Sequence, residues 1–412
     1  MRTRIGMLLC CFSLILSGCS TSIKNSDKVV QESSKNKGED AIIPKYSISN
    51  DYYKTILPFK PSKTRGAIVS NIDNRLDINE FELGLMRIVQ DQYPTDEYLY
   101  QEGQLIDKKT VDSWLLRKYS PGQYKDKLDS LKKVDKHATL KNEGLNPIKI
   151  GTKVVVDSKT NKKSTKSLTE AQKAKAAPIY LNSILEQDYL KKQGKEVKIE
   201  GIAIGLAMNS VYYYEEEHGY PRELEISKED MLNQGKAIAQ EILTRLRGKS
   251  EFKNLPITFA IFRQQSRSSV VPGSYVAKAT VSGNEGSIGG WDSINEKYYL
   301  FPSSAATADH RDDAMKMVNF KTDIENYFPN YTGVVGTGFY KDNELVQLKI
   351  DIPMQFYSKA EVIAFTQYVA GLMMDHFPSY LKVETNIFSA NGQEALIVKE
   401  VNAKEPNVHI YN

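Results

Sequence analysis

Residues 198–214 read KIEGIAIGLAMNSVYYY, an apolar and aromatic run of strand character that decides the fold together with the helix and strands downstream of it. Ser227-Lys228-Glu229-Asp230 caps a helix carrying Met231, Ile238, Ile242 and Leu246, and Gly248 stops it. Two strands are expected next, over 256–263 and 274–282. The order then returns. Residues 345–357, LVQLKIDIPMQFY, lead to a second capping box, Ser358-Lys359-Ala360-Glu361, and a helix with Val362, Phe365, Val369, Leu372 and Met373. Strands over 381–389 and 394–401 come next, joined by a turn that holds Asn391-Gly392. The predicted fold class is α+β, a tandem strand-helix-strand-strand repeat forming antiparallel sheets with helices on one face. Two such halves would leave a groove between them. The alternative is that an α+β chain shows this order by chance, since side-chain identity between the copies is poor.

Upstream, residues 46–150 read as a mixed helical α+β region. Asp77-Ile78-Asn79-Glu80 has the form of a capping box, with Phe81, Leu85, Ile88 and Val89 at helical spacing behind it. Thr110, Trp114 and Leu115 suggest a second helix, and Ser120-Pro121-Gly122 a turn. Residues 149–175, KIGTKVVVDSKTNKKSTKSLTEAQKAK, hold eight lysines around one apolar run. They read as a basic linker or exposed hairpin over 151–176, in preference to a patch for an anionic polymer or lipid headgroups. This stretch is the expected boundary before a C-terminal α+β region, 177–412, that contains both copies.

The first residues carry a different signal. Arg2 and Arg4 precede an apolar run over 5–16, broken only by Gly6 and Ser13, which marks 1–18 as a secretory signal peptide. That run is too short to cross a hydrocarbon core, which takes roughly 20 apolar residues. Leu16-Ser17-Gly18-Cys19 has the form of a lipobox, with Leu16, Ser17 and Gly18 for signal-peptidase recognition and Cys19 for lipidation. An ordinary cleavage site with an incidental cysteine is the alternative. The three cysteines are Cys10, Cys11 and Cys19, so the body has no thiol for a disulfide, a nucleophile or a metal. Residues 19–45 lack aromatics and read as a disordered tether with a reach of about 25–30 Å. The expected location is the cell membrane, lipid-anchored on the extracytoplasmic face, with membrane lipid as the partner of acylated Cys19.

Chemistry is sparse. A net charge of +4, with 26% charged residues of both signs, gives no field that argues for nucleic acid. Five scattered histidines offer no metal-ligand spacing, and GVVGTG over 333–338 lacks the helix of a dinucleotide site, so neither metal nor cofactor is expected. Acidic runs at 215–217 and 309–313 supply carboxylates for one alternative, a cell-wall glycan hydrolase. No constellation specifies a reaction, and the body reads as a non-enzymatic module for an envelope or extracellular ligand. The candidate ligand residues are Arg263, Gln265 and Arg267 of the loop RQQSRSS, with Tyr275 and Trp291 nearby in sequence. Two arginines, amides and an aromatic suit a sugar or carboxylate bound by bidentate hydrogen bonds. A polar exposed turn is the alternative.

Four stretches carry a resemblance: FELGLMRI over 81–88, APIYLNSILEQDYL from Ala177, SVYYY followed by GYPRELEIS over 210–227, and FRQQSRSSVVPGSYVAKATV over 262–281. With the lipobox, they resemble the CamS family of bacterial sex-pheromone precursor lipoproteins across nearly the whole chain. The resemblance implies that a short hydrophobic peptide, here residues 12–18, FSLILSG, is released from the signal sequence and acts in plasmid conjugation. Of the family's peptide pattern, Ile15 and Leu16 stand in place. The resemblance implies nothing about the role of the large body.

Overall fold

The computed structural model describes residues 26–33, 36–156, 162–328 and 333–412. The chain enters as β1 (Ser26–Ser33), β2 (Asn36–Pro44) and β3 (Lys54–Thr55), then helices α1 (Arg65–Asn71) and α2 (Arg75–Ile88), β4 (Leu99–Glu102), α3 (Lys108–Leu115) and α4 (Pro121–Val134). Next come β5 (Thr152–Val156), β6 (Lys163–Ser167), α5 (Glu170–Ala176), β7 (Leu181–Gln193), β8 (Glu196–Met208), β9 (Val211–Glu215) and β10 (Pro221–Glu225). Helix α6 (Lys228–Arg247) leads to β11 (Ile257–Arg263), β12 (Ser274–Val281), β13 (Asp292–Ser293) and β14 (Glu296–Phe301). The last part holds α7 (Ser304–Asp309), α8 (Arg311–Tyr327), β15 (Val335–Lys341), β16 (Glu344–Pro353), α9 (Lys359–His376), β17 (Lys382–Ser389), β18 (Gly392–Lys399) and β19 (Asn407–Ile410).

The fold is α+β, and the strand-helix-strand-strand order appears twice in the pairing. In the first sheet β7 is antiparallel to β8, β8 parallel to β11, and β11 antiparallel to β12. In the second sheet β15, β16, β17 and β18 repeat that sequence of relations. A parallel neighbour requires a long crossover, and α6 and α9 supply it, so each sheet is mixed with a parallel pair at its centre. Ser227 and Ser358 cap these helices as expected, accepting from the amides of Asp230 and Glu361.

Packing on the two sheets differs. In β8 the residues Ile202, Ile204, Leu206 and Met208 face α6, while Ala203 and Ala207 lie in a second core with Phe81 and Leu85 of α2. Helices therefore cover both faces of the first sheet, and β8 is buried without interruption from Gly201 to Met208. The second sheet matches the single-faced expectation: Leu348, Ile350 and Ile352 of β16 pack with Phe320 of α8 and Phe365 of α9, while Lys349 is exposed.

Three expectations change. The tether is shorter than 19–45, because β1 and β2 pair from Ser26 to Pro44 and bury Val29, Ala41 and Ile43 against Leu99, Leu190 and Val197. Burial of those few apolar side chains on the first sheet's edge supplies what the segment's composition lacks by itself. The basic stretch does not divide two bodies, since β3 and β4 of the N-terminal region join β7 in the first sheet. Finally, Ser120-Pro121 opens α4 with a capping box completed by Gln123, where a turn was expected.

Candidate functional site

The parallel strands β8 and β11 end side by side at Met208 and Arg263, and their carboxyl ends carry the polar loop singled out in the sequence. Open sheets tend to bind ligands at such strand ends. Helix α2 builds the loop's support. Its cap is Asn74, which accepts from the Leu76 amide and donates through Nδ2 to the carbonyls of Ser266 and Ser269 at 3.2 and 3.1 Å. Asp77 is thereby freed from the expected capping role. Its carboxylate accepts from the Gln265 amide at 2.9 Å and the Gly273 amide at 2.7 Å, clasping both ends of the loop. Burial pushes the Asp77 carboxyl up to about 6, with these two amides opposing the rise.

The predicted site residues divide. Gln264 reaches Asn209 with its side chain at 3.1 Å, and the Arg267 amide donates to the Tyr213 hydroxyl at 3.0 Å. The Arg267 guanidinium lies 4.3 Å from the centre of the Tyr213 ring, a cation–π contact at the surface. Arg263 is half-buried with its Nε atom enclosed and unpartnered, and burial lowers its pKa. Arg263, Gln265 and Arg267 therefore share one strand end with Asn209 and Tyr213. Tyr275 does not join them. It is fully buried, donates to the Phe81 carbonyl at 2.6 Å and packs on Phe262, because its strand position points into the core under α2. Trp291 packs against the α6 cluster with Lys236 5.9 Å from its ring, away from the loop. Leu16, Ser17, Gly18 and Cys19 lie outside the described residues.

Four acids of the two runs are committed, while Glu215 and Asp312 stay exposed. In the 215–217 run Glu216 pairs with Arg222 and Glu217 accepts from the Glu170 amide; in the 309–313 run Asp309 binds Lys297 and Tyr299 and Asp313 binds Lys316 and Tyr340. The two runs sit on different sheets' elements. Two close acids were missed by sequence reading: Glu186 and Asp188 on the same face of β7, both buried. Glu186 accepts from the amides of Leu105 and Ile106, and Asp188 from that of Gln104. Burial holds both carboxyls above their ordinary range, and each bears on the other. They tie down a loop and meet no solvent. No group of three metal-ligating side chains occurs among the described residues.

At the junction of the sheets, Arg87 of α2 binds Glu80 at 2.5 Å and Glu296 of β14 at 2.8 Å, and the Tyr298 hydroxyl donates to Glu80 at 2.6 Å. The Arg87 guanidinium also lies 4.5 Å from the centre of the Phe339 ring of β15.

The family model described as CamS sex pheromone cAM373 precursor matches residues 59–405. The chain belongs to this family. A solved structure of the sex pheromone precursor from Lactobacillus salivarius is 32% identical, with a TM-score of 0.72, and covers 89% of this chain and 98% of its own. The C-terminal domain of the sex pheromone staph-cAM373 precursor from Staphylococcus aureus is 35% identical, with a TM-score of 0.68, covering 83% and 98%. No curated protein matches the chain. Among the described residues no helix is long and apolar enough to cross a membrane.

Proposed function

We propose that the mature protein is a surface lipoprotein held to the extracytoplasmic face of the membrane by acylated Cys19, and that its body is a non-enzymatic binding module. The anchor reading is supported by the lipobox Leu16-Ser17-Gly18-Cys19 and by membership of a precursor family. Acyl chains at roughly 0.8 kcal/mol per buried CH₂ hold such a chain when two or more are attached. The binding reading rests on one observation. The side chains that reach solvent at the strand-end loop are mostly amides and hydroxyls, with Arg267, Tyr213 and Val270, while the adjacent carboxyls Glu186 and Asp188 are sealed beneath a loop. That set, with the exposed Glu225 near Arg263, suits a hydroxyl- or carboxylate-bearing envelope ligand.

The peptide of residues 12–18, FSLILSG, is the family's pheromone position, and we assign release of this fragment to signal processing. Mass spectrometry of culture medium is expected to find it. Its absence alongside efficient processing at Cys19 contradicts that assignment. For the body, Arg267→Ala is expected to lower retention of the protein on isolated envelope material several-fold without changing its fold. Release of soluble sugar from that material by the pure protein would contradict the non-enzymatic reading.

A further inference from the structure

Charge along the chain is strongly segregated. Residues 107–176 hold eighteen lysine or arginine side chains against eight acids, a net +10, whereas residues 177–412 hold twenty-four against thirty, a net −6. An evenly solvated surface would mix the signs. Two elements of the basic part add nothing to the core. Helix α4 has no buried residue, and every residue of β6 is exposed. Strands β5 and β6 pair only with each other, so the hairpin stands in solvent as a two-stranded ribbon, a form of marginal stability by itself.

The lysines are placed against one another. Lys153 and Lys166 are direct cross-strand partners, an arrangement that costs stability until a counter-charge arrives. Lys125, Lys127, Lys132 and Lys133 of α4 form no ion pair among the described residues. Beside α4 runs a groove of about 510 Å³ lined by Arg117, Lys118, Tyr119, Lys127 and Lys149, with Asp126 the acid on its wall. Two of its cations are occupied: Lys118 by Glu241 at 2.7 Å, and Arg117 by the Pro147 carbonyl at 3.0 Å. Lys127 and Lys149 remain, and Lys149 lies two residues before the hairpin's base at Gly151.

Topology sets the lobe's orientation. Asn146 fastens it to the first residue of β7, donating to the Leu181 carbonyl and accepting from the Leu181 amide. The chain's entry lies at the other end. Strand β1 runs parallel to β8 with Val30 beside Glu196, so Ser26 overhangs the end of the sheet where β7 finishes. Thirteen residues of β7 at about 3.3 Å each separate the two ends by about 40 Å. With only residues 20–25 between Cys19 and β1, an anchored body stands close to the membrane with its basic lobe pointing away from it.

We propose that this lobe is a docking surface for a linear, phosphate-bearing polyanion on the membrane-distal side. Lysine is a compact point charge that pairs with phosphate oxygens without a fixed geometry, so seventeen lysines and a single arginine suit a flexible, densely charged phosphate chain more than bidentate recognition of one planar group. The hairpin carries no aromatic ring on which nucleobases could stack. The proposal adds a second surface to the strand-end site and rests on the Cys19 anchor only for its orientation.

The test uses the full chain in detergent and labelled long-chain inorganic polyphosphate as probe, read by fluorescence anisotropy. Binding is expected at about 50 mM salt and should weaken steeply as salt rises. The variant Lys127→Glu/Lys149→Glu/Lys163→Glu/Lys166→Glu is expected to bind roughly tenfold or more weakly and to flatten the salt dependence. A matched set elsewhere, Lys253→Glu/Lys341→Glu/Lys349→Glu/Lys404→Glu, should change affinity far less. Equal loss in both sets, no binding by the wild-type chain, or preference for phosphatidylglycerol vesicles over polyphosphate overturns the proposal. Cys19→Ala should bind polyphosphate unchanged, so a failed anchor and a failed lobe give different results.

Discussion

Strands β8 and β16 hold the same place in the two sheets, each lying between an antiparallel neighbour and a parallel one. Both send a large apolar residue towards a helix at every second position: Ile202, Ile204 and Leu206 in one, Leu348, Ile350 and Ile352 in the other. They differ in the residues between. In β8 these are Gly201, Ala203, Gly205 and Ala207; in β16 they include Lys349 and Asp351. A Cβ at Gly201 would come within 2.3 Å of the Tyr93 ring, and one at Gly205 within 2.9 Å of Phe81 and the Tyr275 hydroxyl. Small residues there admit a layer of aromatic rings beneath α2, whereas the polar residues of β16 leave that face to solvent. One topology has thus been closed on both sides in the first half and left half-open in the second.

The largest expected effect tests how the halves are joined. Arg87→Met removes the cation shared by Glu80 and Glu296 and is predicted to cost about 3 kcal/mol, since uncompensated buried carboxylates are left behind. Urea unfolding should show it, and an unchanged midpoint would show that the junction is held by something else. Gly201→Ala comes next, at about 1–3 kcal/mol, because Tyr93 is stacked on Tyr189 at 4.4 Å and has no room to yield. If the alanine variant is as stable as the wild type, the closed face is looser than described.

A pH effect arises from Asp77. Its folded-state pKa of about 6 exceeds the ordinary aspartate value of about 3.9, so the folded protein holds this proton more tightly than the unfolded chain. Its contribution is therefore greatest below about pH 4, falls as pH rises towards 6 and is level above that. Wild type should lose ground to Asp77→Asn across that window, and a constant stability difference would contradict it. The smallest effect is expected on the open face, where Lys349→Ala should stay within about 0.5 kcal/mol. A larger loss would show that β16 is covered after all.

Features governed by neighbours in sequence were legible: the caps at Ser227 and Ser358, both crossover helices and the recurring strand order. Features that depend on distant partners were not. Asp77 resembles a helix cap until Gln265 and Gly273, 188 and 196 residues away, are folded onto it. Val29, Ala41 and Ile43 are too few to order a segment alone, and the edge that shelters them comes from Leu99, Leu190 and Val197. Tyr275 stands close to Arg267 in sequence, yet strand alternation turns it into the core. Arg263, Gln265 and Arg267 came together because one short loop carries all three.

The proposed anchor requires a chain cut before Cys19 and held by lipid there. Intact mass of the protein extracted from membranes tests this most directly. The predicted mass is that of residues 19–412 plus a diacylglyceryl group, with or without a third acyl chain. An unmodified chain, or an N-terminus at any other residue, would contradict it.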